Sequence, residues 1–137
     1  MSGLVLDASA TLTWCFADED GAYGEELIDE VANSGAVVPV IWSLEITNAI
    51  VVAERRNRLS ATDGGTFISL VQELPIAIDG GSPTVVFGTT MELAREHGLS
   101  SYDASYLELA VRMELPLATL DRKLESAARN LGVEAPL

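Results

Sequence analysis

Short apolar runs, each stopped by an acid or a turn residue, alternate with longer segments of helical periodicity. This alternation constrains the fold more than any other feature of the chain. Leu4-Val5-Leu6 ends at Asp7. Residues 36–40 form a second buried run, and Ile76-Ala77-Ile78-Asp79 a third that Gly80-Gly81 stops. Leu117-Ala118-Thr119-Leu120 is a fourth, ending at Asp121, and residues 133–137 are expected as a short edge strand. Runs of this length and composition suit buried strands.

The intervening segments suit helices. One of about two turns is expected after Asp7 through Leu12, Trp14 and Phe16, closed by Asp18-Glu19-Asp20-Gly21. Residues 22–33 place Leu27, Ile28 and Val31 inward and Glu25, Glu26, Asp29 and Glu30 in water. Ser43 is expected to cap a helix running to Arg56, and Ser60-x-x-Asp63 opens another that reaches Glu73. Ser82-Pro83 starts a helix with proline at its first position, ending at His97-Gly98. Further helices are expected over 101–113, after Ser100, and over 122–131, stopped by Gly132. Strands alternating with helices imply a parallel sheet with helices on both faces, an α/β fold. In such sheets ligands bind beyond the carboxyl ends of the strands, where strand order reverses. Asp7 and Asp121 both stand at such ends.

The 137 residues fit one domain, spanning 1–137, and 48% hydrophobic content supports a real core. No apolar run is long enough to cross a bilayer, and the N-terminus lacks the basic region of a signal peptide. The single Cys15 excludes an intramolecular disulfide and a zinc cluster. A cytoplasmic location is the expectation. The net charge of −13 excludes sequence-independent DNA binding by a broad basic face. The cations nevertheless cluster as Arg55, Arg56 and Arg58, and as Arg122, Lys123 and Arg129. Each cluster suits either a solvated helix end or a local phosphate contact.

Four acids carry the functional argument. Asp7, Asp103 and Asp121 each stand near a helix start, where a capping role would look the same. Glu45 resists that explanation. It is expected one position inside a helix among Leu44, Ile46, Ala49 and Ile50, and an ionised carboxylate is costly to bury unless paired or metal-bound. Asn48, three residues on, shares its face and is placed to hold Glu45 or a water. If the four acids converge, they cannot all stay ionised without a cation: two unit charges ~4 Å apart repel by ~4 kcal/mol at an effective dielectric of 20. Mg²⁺ suits oxygen ligands and keeps several waters. Such a site lowers the pKa of a bound water and stabilises charge on a phosphoryl oxygen, without a His or Cys nucleophile. His97 and Cys15 are accordingly expected to be structural, and Tyr102 and Tyr106 to belong to the core.

Four segments resemble the ordered motifs of PIN-domain nucleases. They are Leu4-Val5-Leu6-Asp7-Ala8-Ser9, Ser43-Leu44-Glu45-Ile46-Thr47-Asn48-Ala49, the stretch from Leu99 to Ala110 around Asp103, and Leu117-Ala118-Thr119-Leu120-Asp121-Arg122-Lys123-Leu124. The compact size resembles the VapC type, the toxin of a type II toxin–antitoxin pair. The resemblance implies a three-layer αβα sandwich around a parallel sheet of about five strands. It also implies a Mg²⁺- or Mn²⁺-dependent ribonuclease, a homodimer and a small antitoxin partner. Carried over by motif, Asp7, Glu45, Asp103 and Asp121 would bind metal, with Asp7 and Asp103 as direct ligands. Ser9 and Thr119 would support them. Ser100 stands where the family often has Thr and keeps the hydroxyl. Arg55, Arg56, Arg122 and Lys123 are candidates to guide the RNA backbone, and Val51, Val52 and Leu59 for an apolar subunit contact. A receiver-like phospho-accepting domain and a non-catalytic PIN-like module are the rival classes. Against the first, Asp7 lacks an acidic neighbour and the one lysine, Lys123, lies at a helix start.

Overall fold

A computed structural model describes residues 3–16 and 21–137. Four parallel strands, β1 (Leu4–Leu6), β2 (Ala36–Pro39), β3 (Ile76–Asp79) and β4 (Leu117–Ala118), lie in the order β3-β2-β1-β4. Register pairs Val5 with Val37 on one side and with Leu117 on the other. The chain steps outward from β1 through β2 to β3, then returns to add β4 on the opposite side of β1. The order therefore reverses between β1 and β4.

Among the described residues eight α-helical segments join and flank the strands: α1 (Ala8–Thr11), α2 (Gly21–Ser34), α3 (Ile41–Arg55), α4 (Ala61–Glu73), α5 (Pro83–Val85), α6 (Met91–His97), α7 (Ser101–Met113) and α8 (Arg122–Asn130). A 3-10 turn, Leu12–Trp14, extends α1, and a π-helical turn, Val86–Thr90, joins α5 to α6. Leu4, Val5 and Leu6 are all buried. Successive strand residues point to opposite faces, so both faces of β1 are covered and the layers are helix, sheet, helix. α7 packs across β1, β2 and β4 and buries Tyr106, Leu107 and Leu109. No helix among the described residues is long and apolar enough to cross a membrane.

Several expectations are corrected. The sheet has four strands among the described residues, not about five. The segment after Gly132 runs beside β4 but gives it one ladder bond, Leu117 N to Glu134 O at 2.9 Å. The Val133 amide is spent on Ala128 O at the end of α8, which leaves no second bond to start a ladder. α3 begins at Ile41 without a side-chain cap, so Ser43 lies inside it. Burial of Trp42 sets that start in place of a capping hydroxyl. β4 ends at Ala118, two residues short of expectation. Gly21 opens α2, while the turn expected at Asp18-Glu19-Asp20 lies outside the described residues.

Candidate active site at the strand-order reversal

Asp7 follows the last residue of β1 and caps α1. Its Oδ1 accepts from the Ala10 amide at 2.9 Å and from the Ser9 hydroxyl at 2.7 Å. Its Oδ2 accepts from the Thr119 hydroxyl, just past β4. Thr119 Oγ1 in turn accepts from the Asp121 amide at 3.0 Å, and Ser9 Oγ from the Leu120 amide at 2.9 Å. Ser9 and Thr119 thus stitch the two strand ends together across the reversal. Asp7 is buried, and that burial raises its pKa above the ordinary carboxylate range. The Thr119, Ala10 and Ser9 donors pull the other way without cancelling it, and the Asp103 charge adds to the rise.

Glu45 lies on the fifth residue of α3, not in its first turn, so the helix dipole gives it little. Packing fixes its direction. Trp42, one turn earlier, donates from Nε1 to Thr11 Oγ1 at 3.0 Å, and Thr11 donates to the Asp7 carbonyl at 2.7 Å. Those two bonds lock α3 against α1. The Tyr106 hydroxyl then donates to Glu45 Oε1 at 2.5 Å. Burial raises the Glu45 pKa, the Tyr106 bond opposes this, and the Asp103 and Asp7 charges add to the rise. Burial and the Glu45 contact push the Tyr106 phenol far above its ordinary range, so it remains a donor.

Asp103 sits in the first turn of α7, one turn before Tyr106. Ser100 caps that helix by accepting from the Asp103 amide at 3.1 Å, as the Ser-x-x-Asp pattern suggests. Burial and then the Asp121 charge raise the Asp103 pKa. Asp121 caps α8 through the Leu124 amide at 2.9 Å and is exposed. Capping and convergence therefore coexist. Asp103 shares a repulsive field with each of Asp7, Glu45 and Asp121.

The remaining candidates fall into two groups. Lys123 lies in the first turn of α8 with Nζ 3.4 Å from where a Cβ would stand at Gly98, close to the loop that leads into Ser100. Arg122 is its exposed neighbour. Arg55 and Arg56 stand at the far end of α3, ~15 Å along the helix from Glu45. Asn48 is exposed and makes no hydrogen bond to Glu45; Tyr106 holds that carboxylate instead. Sequence reasoning left both Tyr102 and Tyr106 in the core; Tyr102 is exposed instead, and the one that reaches the site is Tyr106. Its burial fits that reading, but its hydroxyl reaches an acid distant in the chain, which no local spacing reveals.

The donor set fits a hard, hydrated cation better than a zinc-type cage. Among the described residues no group of three His, Cys, Asp or Glu is drawn together tightly enough to hold a metal ion by itself. The ligands on offer are carboxylate oxygens, and those of Asp7, Glu45 and Asp103 are raised in pKa by burial and by neighbouring acids. An ion that keeps most of its water and takes one or two carboxylates suits that arrangement.

No family model matches the chain. Ribonuclease VapC3 of Pyrobaculum aerophilum is 27% identical over 121 residues, which cover 88% of this chain and 91% of that relative. The crystal structure of PAE2754 from Pyrobaculum aerophilum aligns with a TM-score of 0.70 at 23% identity, over 93% of this chain and 79% of that one. The second likeness supports the three-layer α/β fold.

Proposed function

We propose that the chain is a Mg²⁺-dependent endoribonuclease, with Mn²⁺ as a substitute, that acts as the toxin of a toxin–antitoxin pair. The observation that carries this reading is the gathering of Asp7, Glu45, Asp103 and Asp121 near the reversal between β1 and β4, where burial first, and then the charge of a neighbouring acid, disfavours the charged forms of Asp7, Glu45 and Asp103. The similarity to a protein named Ribonuclease VapC3 supports the substrate class.

Asp7 and Asp103 are the direct ligands in this proposal, and Asp121 closes the outer side. A bound Mg²⁺ supplies a lowered pKa for its water and stabilises negative charge on the attacked phosphate. The Ser9 and Thr119 hydroxyls and the Ala10 amide hold Asp7 in one orientation, so it is ready to bind without reorganisation. Glu45, steadied by Tyr106 and raised in pKa, accepts the proton from the attacking water. Lys123 and Arg122, exposed and directly after Asp121 in the first turn of α8, are assigned in this proposal to the RNA backbone. A homodimer and a small antitoxin complete the proposal. Leu44 and Phe87, 66% and 72% exposed, offer more apolar surface than Val51, Val52 and Leu59.

The test is cleavage of RNA with Mg²⁺, with chelator, and by Asp7→Asn and Asp103→Asn. Cleavage that needs the metal and disappears in both variants supports the proposal. Undiminished cleavage in both would sink the assignment of these acids.

A further inference from the structure

The face of α3 that carries Glu45 does not end at the acids. Asn48, Val52 and Arg56 continue it at helical spacing and form one wall of a groove. Leu12, Phe16 and Arg58 complete its lining. The chain holds 8 Lys and Arg against 21 Asp and Glu, and among the described residues only Arg112 and Arg129 of those cations pair with a carboxylate. Arg55, Arg56 and Arg58 are all exposed, and none has an ion pair among the described residues. Glu54, their neighbour in sequence, is turned toward α4, with Oε2 3.3 Å from where a Cβ would stand at Gly64. The guanidinium carbon of Arg58 lies 5.4 Å from the centroid of the Phe16 ring, which fixes the direction of a side chain that would otherwise wander.

Resting on the ribonuclease reading, we infer that this groove is a track for single-stranded RNA leading to the acids, with Arg56 and Arg58 on consecutive phosphates. Phe16 is the positioning residue for Arg58, and the Asn48 amide faces the strand between the arginines and Glu45. From Glu45 to Arg56 the helix rises ~16 Å. That length matches about four or five stacked nucleotides at ~3.4 Å each. A narrow groove with local cations and an aromatic side chain suits a single strand. A duplex would need the broad basic surface that a net charge of −13 denies.

The test is steady-state cleavage of a mixed-sequence single-stranded RNA in Mg²⁺ across a series of salt concentrations. Arg56→Gln and Arg58→Gln are each expected to raise KM about fivefold with kcat within about twofold of wild type, and to flatten log KM against log salt by ~0.7. Phe16→Leu keeps apolar bulk but frees Arg58, and is expected to raise KM about threefold. Arg129→Gln, on α8 and paired with Glu125, is expected to change neither quantity. Equal unfolding midpoints establish that the variants are folded. Unchanged KM and salt slope in both arginine variants, with cleavage intact, overturns the groove and leaves the nuclease reading standing. Equal KM for a duplex of the same sequence overturns the single-strand assignment. A wild type that cleaves no RNA removes the nuclease reading, and the groove with it.

Discussion

Thr119→Val removes one hydroxyl from the point where β1 and β4 meet, with almost no change of volume. Two bonds disappear: the donor to Asp7 Oδ2, and the acceptor for the Asp121 amide. A hydrogen bond to a charged group contributes ~1.5–3 kcal/mol, and the amide bond near solvent ~0.5–1 kcal/mol. A newly buried methyl offsets ~0.8 kcal/mol. The net loss at pH 8 is about 2 kcal/mol, or about 6 °C in Tm for a domain of this size. The pH dependence identifies the cause. Asp7 already has a raised pKa in the folded state, and the Thr119 bond acts to lower it, so the substitution raises it further. A carboxyl raised on folding contributes stability below its unfolded pKa and loses it as pH rises through the folded value. The penalty of Thr119→Val therefore opens as pH rises above the ordinary carboxylate range and shrinks to below about 1 kcal/mol at pH 4. Denaturant unfolding at pH 4 and pH 8, with an Asp7→Asn double-mutant cycle, measures both effects. Equal losses at the two pH values, additive with Asp7→Asn, would refute the claim that Thr119 acts through the Asp7 charge.

Asp7→Asn alone keeps the helix cap and removes a buried charge. It is expected to raise the Tm of the metal-free protein at pH 8 by about 2–4 °C and to leave it unchanged at pH 4, by the same sign argument; thermal melts check this. Tyr106→Phe frees Glu45 Oε1, and because that bond lowers the Glu45 pKa, the acid limb of the pH–rate profile should move to higher pH. Arg112 bridges Glu108, buried on α7, to Asp79 at the end of β3, so Arg112→Gln strands a buried carboxylate. Its cost at pH 8 is about 1–3 kcal/mol, toward the low end because the Arg112 side chain is 38% exposed and solvent screens it. Asp79 has a pKa lowered by Arg112, so this contribution is present above its unfolded value and fades as pH falls; urea unfolding at two pH values reads it.

The sequence made visible whatever depends on local spacing. β3 has the bounds its apolar run suggests, and Ser60 and Ser100 cap α4 and α7 through the amides three residues on. Asp7 and Asp121 each cap a helix, and each stands beside the reversal of strand order, so the cap is compatible with the proposed ligand role. Contacts between distant segments stayed hidden. Tyr106 and Glu45 are 61 residues apart, and Arg112 and Asp79 are 33 apart. Local preference also lost to packing at α3, where burial of Trp42 carries the helix start past Ser43. It lost again at β4, where Thr119 serves Asp7 and Asp121 after the strand has ended.

Calorimetric titration of Mg²⁺ into the wild-type protein and into Asp7→Asn at pH 8 tests the metal-centre claim most directly. A saturable site in the wild type, weakened tenfold or more by Asp7→Asn, is expected, because that variant removes a carboxylate already oriented by three donors. No saturable binding in the wild type, or equal binding in both proteins, would contradict it.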